Sequence, residues 1–164
     1  MRAPGPVPAT LDDMNLQRLF VAGGCAGAAA YTICKIDLAA RGELGMPGFP
    51  APADSYQQYD PVSGQISNAL VGFGMLLLIG WLGWPPRRAW LRRGLLTVSW
   101  TGVALVASGL AGFTLRATDI VPRSGVGTTP VAWVTLAVGA AWVASWVVAN
   151  LGAVQRKSIA EPRS

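Results

Sequence analysis

The chain has 164 residues, of which 52% are hydrophobic and 13% are charged, and its formal net charge is +5. Soluble domains carry roughly 25% charged residues, so this composition and a mean hydropathy of +0.41 exclude an ordinary soluble domain. The positive residues flank apolar segments instead of forming one basic surface, which argues against nucleic acid as a partner.

The residue types that metal and redox sites need are scarce. Histidine is absent, and the two cysteines are Cys25 and Cys34. Nine residues apart on a helix, they lie about 13 Å apart and on opposite faces, which excludes a disulfide between them. Zinc sites, thiol–disulfide relays and histidine-ligated haem have no ligand set here. We therefore expect no cofactor and no metal.

The N-terminal segment, 1–10, is Pro-rich and predicted to be disordered. Thr10 followed by Asp13 predicts a helix start, and the first apolar span covers 19–40. Prolines soon after this span are expected to end the helix.

Two other interpretations of the first span stay open. The run "AGAAA" could precede the cut of a signal peptide, and "AGGC" could end a lipoprotein signal at Cys25. The apolar run before that cysteine is short, 19–22, and Asp12 and Asp13 interrupt the positive region that a signal peptide requires. We therefore predict an uncleaved transmembrane helix.

Small residues predict where the helices approach one another. Gly23 and Gly27 form a GxxxG pair in the first span, and such pairs allow close backbone contact in lipid. By the same reasoning, the packing face of the third span, called its seam, is assigned to Ser108 and Gly112, and the seam of the fourth span to Gly139. Homodimerisation through the first span stays open.

Three further apolar stretches are long enough to cross a membrane, which takes about 20 helical residues. They cover 65–84, 95–115 and 131–151. Because a backbone in lipid must satisfy its own hydrogen bonds, all of them should be helices. The prediction is an all-α polytopic membrane protein, an antiparallel four-transmembrane-helix bundle over 11–154. Pro130 suits the first turn of the last helix, with Thr129 as its N-cap.

The connections between spans follow from these bounds. The first outer loop, 41–64, is too rich in Gly and Pro to be helical throughout, and its length is typical of functional or disordered loops. The second outer loop covers 116–130, the inner loop 85–94, and the polar tail 155–164.

Arg and Lys residues indicate the orientation, because cytoplasmic loops carry an excess of them. Nine lie on one side: Arg2, Arg18, Arg87, Arg88, Arg92, Arg93, Arg156, Lys157 and Arg163. The other side has four, offset by five carboxylates. We predict that both termini are cytoplasmic and that the protein lies in the cytoplasmic (inner) cell membrane. Trp81, Trp84, Trp90 and Trp133 stand where interfacial tryptophans are expected.

A group of polar residues gathers at the outer ends of the helices. It comprises Lys35, Asp37, Arg41, Glu43, Gln65, Asn68, Arg116 and Asp119. Asp37 and Arg41 are four residues apart and can pair on a helix. In one interpretation these residues form a pocket under the first outer loop whose cations hold a lipid phosphate or another anionic headgroup. In the favoured one they are solvated or snorkelling residues at helix ends.

The interiors of the last three spans carry no Asp, Glu, Lys or Arg. Ion-coupled transporters usually place such groups at mid-membrane, so coupled transport is disfavoured, and no catalytic residues are assigned. The expected function is a non-catalytic accessory or structural membrane subunit, with a membrane-protein partner or a homo-oligomer. The alternative is a binder or transporter of a small apolar or lipid-like ligand that enters from the outer face.

Several segments resemble small four-pass membrane proteins of unknown function from high-GC actinobacteria. They are the Tyr31 and Lys35 pair, "GELGMPGFPAP", "QISNALVG" and the Arg-rich inner loop. An arginine before the first span and "GMP" after it are similar to DoxX-type four-helix proteins, although the acidic residue at the start of their second span is missing here. Both resemblances imply fold and location only.

Overall fold

The computed structural model describes residues 11–86, 88–118, 120 and 129–160, with side chains described from 15 to 154 within those ranges. The predicted disordered segment, 1–10, and the predicted site residue Asp119 lie outside them. The elements in chain order are α1 (Leu11–Arg41), β1 (Gly45–Met46), β2 (Phe49–Pro50), α2 (Ser55–Gln58), α3 (Pro61–Leu82), α4 (Ala89–Ala117) and α5 (Pro130–Ala160).

In this described part, α1, α3, α4 and α5 are long and apolar enough to cross a membrane. Their candidate spans are Asn15–Arg41, Pro61–Leu82, Ala89–Ala117 and Pro130–Val154. The prediction of four spanning helices in an all-α protein is confirmed at this level. Each span is a few residues longer than its apolar stretch, because polar residues at the ends still continue the helix.

Local signals set the helix ends. At the start of α5, the Ala132 amide donates to Thr129 Oγ1 at 3.3 Å. Thr129 is therefore the N-cap of this helix, as predicted from the Pro130 that follows it. The end of α1 is set by Gly42, whose φ of +67° suits the left-handed position after a helix. The amides of Gly42 and Glu43 donate back to Ala39 and Leu38 at 3.1 and 2.9 Å. A glycine, not the following prolines, therefore ends this helix.

The helix α1 lies between α3 and α5 and packs against both, whereas α4 packs chiefly against α5. On α5, the partner of Gly23 is Ser145 and the partner of Gly27 is Trp142. Since the α1 numbers rise as the α5 numbers fall, these two helices are antiparallel. The GxxxG pair is thus in contact with α5 of the same chain, and a Cβ on Gly27 would overlap Trp142.

The core centres on Trp146, whose side chain is fully buried. Its Nε1 donates to Ser99 Oγ of α4 at 2.9 Å, so this polar group of a buried ring is satisfied. Residues from α1, α3 and α4 surround it, among them Val21, Ile79 and Val103. All four long helices therefore share one core.

The packing prediction for α4 is wrong within the chain. Ser108 and Gly112 are exposed, and a Cβ on Gly112 would meet nothing within 4 Å. The face of α4 that packs carries Ser99 and Val103 instead. Gly139 of α5 does lie in a seam, because a Cβ there would stand 3.0 Å from the side chain of Leu110 on α4.

The side chain of Asp60 caps α3, and we expect it to make stability depend on pH. Its carboxylate accepts from the Ser63 amide at 2.8 Å, and this bond, helped by the Ser63 hydroxyl, holds the pKa of Asp60 below its ordinary value. A group whose pKa is lowered on folding stabilises the fold above its unfolded pKa, about 3.9. That stabilisation is lost as the pH falls through the lower folded value.

The matched variant is Asp60→Asn, because asparagine caps helices about as well and does not titrate. In one micelle, the gap between the melting temperatures of the wild type and Asp60→Asn should shift in favour of Asp60→Asn as the pH falls from 7 toward 3, because only the wild type loses stabilisation there. A gap of the same size at both pH values would contradict the assignment.

Candidate functional site

The segment "ELGMPGFP", residues 43–50, folds into a short β-hairpin, called the outer hairpin below. Met46 pairs with Phe49 across an antiparallel two-strand ladder, and Pro47 and Gly48 form the turn. Proline followed by a glycine with φ of +78° is the pattern of a type II turn. The Pro–Gly pair that breaks helices therefore builds a defined element here.

Three carbonyl groups of the outer hairpin receive side-chain donors from three different helices. Gln65 Nε2 of α3 donates to Glu43 O at 3.0 Å and to Gly45 O at 3.3 Å. Lys35 Nζ of α1 donates to Gly45 O at 2.7 Å, and Thr135 Oγ1 of α5 donates to Pro47 O at 3.0 Å. These bonds hold every second residue of this extended segment to a neighbouring helix.

The tip of the outer hairpin also reaches α4 and the first turns of α5. The rings of Phe49 and Phe113 are 5.0 Å apart, and Gly48 lies against Ala132 so closely that a Cβ would overlap its backbone. Thr135 lies five residues into α5, about 7 Å along its axis. The tip is therefore inserted below the ends of these two helices, and the outer hairpin as a whole contacts all four long helices.

Insertion explains why polar side chains supply the hydrogen bonds. A non-helical backbone at membrane depth is tolerated where the protein buries it and satisfies its polar groups. Lys35 is 5% exposed and Gln65 is 1% exposed, so both are inside the protein. Their location contradicts the expectation that the outer-face residues are solvated or snorkelling, as far as these two are concerned.

The environment of Lys35 suits a buried ammonium. Besides its hydrogen bond to Gly45 O, the ammonium stands 5.4 Å from the ring centre of Tyr31, a cation–π distance. That ring is 5.7 Å from the ring of Trp142, which in turn stacks on Trp146 at 6.1 Å. A continuous row of aromatic rings thus links the outer hairpin to the core.

The other predicted site residues that the structure describes do lie at the surface. Arg41 and Asp37 form the predicted ion pair at 2.8 Å. Glu43 is exposed and bonds to α3 through its backbone, and Asn68 is exposed on α3. Arg116 is exposed, with its guanidinium 5.9 Å from the Phe113 ring centre. Gln65 and Lys35 are thus the members that the structure brings together on one atom, Gly45 O.

Sequence reasoning missed part of this arrangement. The hairpin contact of Thr135, the ring of Phe113 and the close approach of Gly48 involve residues far apart in the chain. The hydroxyl of Tyr56 also accepts from the Leu44 amide at 3.0 Å, and this bond holds α2 to the hairpin. The Pro–Gly pair was the available signal, since it favours a tight turn.

An open groove lies beside the outer hairpin, with a volume of about 520 Å³. The end of α1, the hairpin, Tyr56 and the start of α5 form its walls. Three charged residues line it, Asp37, Arg41 and Glu43. These are members of the predicted outer-face set that do share a surface accessible to a ligand.

No family model, curated protein or solved structure matches the chain. The class is therefore defined by the fold and the site alone. Four helices of spanning length and apolar composition make this a multi-pass membrane protein, and its distinguishing element is a β-hairpin held among the ends of those helices on one side of the protein.

Proposed function

We propose that the protein lies in the cytoplasmic membrane as an antiparallel four-helix bundle, with both termini in the cytoplasm. The positive charges near the termini and the α3–α4 connection support this orientation. The exposed tryptophans near that connection, Trp81, Trp84 and Trp90, suit an interface there. The outer hairpin then faces the outside of the cell.

Within this membrane the proposed role is that of a non-catalytic accessory or structural subunit. The observation that carries it is the attachment of the outer hairpin to all four long helices. Lys35 and Gln65, the buried polar residues of the predicted site, serve this attachment and hold a backbone in place. Tyr59, which is 64% exposed, directly follows α2, and Tyr56 holds α2 to the hairpin, so Tyr59 is suited to contact a partner membrane protein.

The orientation is tested by accessibility in intact cells. In a background with Cys25→Ala and Cys34→Ala, a membrane-impermeant maleimide should label Asp54→Cys and leave Arg88→Cys unlabelled until the cells are opened. Both positions are exposed, so a difference reports sidedness alone. The reverse pattern would overturn the proposed orientation.

The role is tested by photo-crosslinking. A photoreactive amino acid at position 59 should form a defined adduct with a second copy or a partner membrane protein. The same amino acid at position 84, which is also exposed but near the other membrane surface, should not give that adduct. A monomer that purifies without a stoichiometric partner in several mild detergents, and gives no adduct at 59, would contradict the role.

A second candidate function, the binding of a lipid-like ligand at the outer face, is favoured by the groove. Its lining combines charged side chains with Leu38, Met46 and Val131. Charged groups beside apolar ones at the end of a membrane-spanning helix suit a molecule that is polar at one end and apolar at the other.

A further inference from the structure

The charges that line the groove define which headgroup fits it. Among the described lining residues, Asp37 and Glu43 carry carboxylates and Arg41 a guanidinium, so the formal charges of this described lining sum to a net negative charge. An anionic headgroup attracted to the guanidinium would also meet two carboxylates of its own sign. The groove therefore disfavours a purely anionic ligand.

A zwitterion matches this lining better than an anion or a simple cation does. Arg41 contacts Asp37 through one nitrogen, at 2.8 Å from Oδ2 and 3.1 Å from Oδ1. A guanidinium has five N–H donors, so other donors stay free for a phosphate. The carboxylate of Asp37 stands beside the guanidinium, and Glu43 lines the same groove, so both carboxylates offer acceptor positions to a cationic group.

The chemistry of the cationic group follows from what surrounds it. Primary ammonium groups donate hydrogen bonds to carboxylates, whereas quaternary ammonium groups are held by cages of aromatic rings. Among the described residues, Tyr56 is the one aromatic residue that lines the groove, and one ring does not form a cage. Two carboxylates therefore favour an ethanolamine over a choline.

The position of the groove supplies the apolar part of the site. It lies where α1 ends at Arg41, at the level that lipid headgroups occupy around a spanning helix. Leu38, Leu44 and Val131 border it, and Val131 is 52% exposed at the start of α5. The glycerol and first acyl carbons of a bound lipid would contact these side chains.

We propose that the groove binds a phosphoethanolamine zwitterion, with the phosphate on Arg41 and the ammonium on Glu43 and Asp37. This inference rests on the second candidate function and is independent of the accessory role. Binding of the lipid requires neither a protein partner nor one particular orientation of the protein, because the groove lies at a membrane surface in both orientations.

Native mass spectrometry of the purified chain tests the proposal with three lipids of identical acyl chains. These are phosphatidylethanolamine, phosphatidylcholine and phosphatidylglycerol, each added to the same detergent. Phosphatidylethanolamine should be retained about fivefold more than either of the others, the size expected for one exposed ion pair. Equal retention of the three lipids, or preference for phosphatidylglycerol, would overturn the proposal.

Two variants locate the site. Glu43→Gln should abolish the preference for phosphatidylethanolamine over phosphatidylcholine, whereas Asp54→Asn should keep it. Both side chains are exposed, and Asp54 does not line the groove, so unchanged melting temperatures should show that both variants fold. A preference that survives Glu43→Gln would overturn the assignment to this groove.

A measurement with a soluble compound distinguishes a lipid from a free metabolite as the molecule that carries the headgroup. Glycerophosphoethanolamine, which lacks acyl chains, is added to the protein in a melting experiment beside the intact lipid. Stabilisation by both supports a site that recognises the headgroup alone, and stabilisation by the lipid only supports a site that also uses the acyl chains. If neither stabilises the wild type more than Glu43→Gln, the proposal fails, while crosslinking at position 59 still reports independently on the accessory role.

Discussion

Gly48→Ala should release the outer hairpin from α5 and destabilise the protein by about 3 kcal/mol or more. Two effects add at this position. The φ of +78° is a left-handed conformation that a Cβ makes costly, and the new methyl group would overlap the Ala132 backbone. Backbone atoms cannot rotate away as a side chain can, so the hairpin must shift and lose the Thr135 hydrogen bond to Pro47 O. Unfolding in mixed micelles measures the loss.

The control for this variant is Gly42→Ala. Gly42 has a similar φ of +67°, but a Cβ there would meet nothing within 4 Å. Gly42→Ala should therefore cost only the free energy of placing a Cβ in the left-handed conformation, about 1–2 kcal/mol. If the two variants lose the same stability, the close approach of Gly48 to α5 does not hold the hairpin in place.

Gly27→Ala should separate α1 from α5 and cost about 2 kcal/mol, because overpacking costs up to about 3 kcal/mol and the higher helix propensity of alanine offsets about 1 kcal/mol. The added Cβ would overlap the Cβ and ring of Trp142. That ring is confined between Tyr31 and Trp146, so it has little room to turn away. The same unfolding experiment measures this effect.

Gly74→Ala is the matched control, in the middle of α3 with nothing within 4 Å of its Cβ. Because alanine favours helix over glycine by about 1 kcal/mol, it should be neutral or slightly stabilising. If Gly27→Ala instead kept full stability and changed only the oligomeric state, the GxxxG pair would be a dimer contact and the α1–α5 packing would be wrong.

The burial of Lys35 changes how the outer-face polar residues are understood. A lysine within a spanning helix is costly and commonly marks a functional site. Here its ammonium bonds to Gly45 O and lies near the Tyr31 ring, so its evident role is to hold the inserted hairpin. The residues exposed to ligands are instead Asp37, Arg41 and Glu43, which follow Lys35 toward and beyond the end of α1.

Part of the candidate site could be predicted from local spacing. The Asp37–Arg41 pair depends on a four-residue separation within one helix, and the Thr129 cap depends on the neighbouring Pro130. Both are present. The meeting of Lys35 and Gln65 on Gly45 O could not be predicted in this way, because it depends on a loop folding back between helices that are far apart in the sequence.

The sequence by itself determined the number of spanning helices, their approximate lengths and the Thr129 cap of α5. These properties depend on local composition, since a helix in lipid must be apolar over about 20 residues and satisfy its own backbone. The tertiary structure decided which face of each helix is buried and where the hairpin lies. Helices that are apolar on all sides carry little periodic signal to mark the packed face, so the seam on α4 was predicted at Ser108 and Gly112 and formed at Ser99 and Val103. In lipid, close packing selects that face, and packing depends on the neighbouring helices.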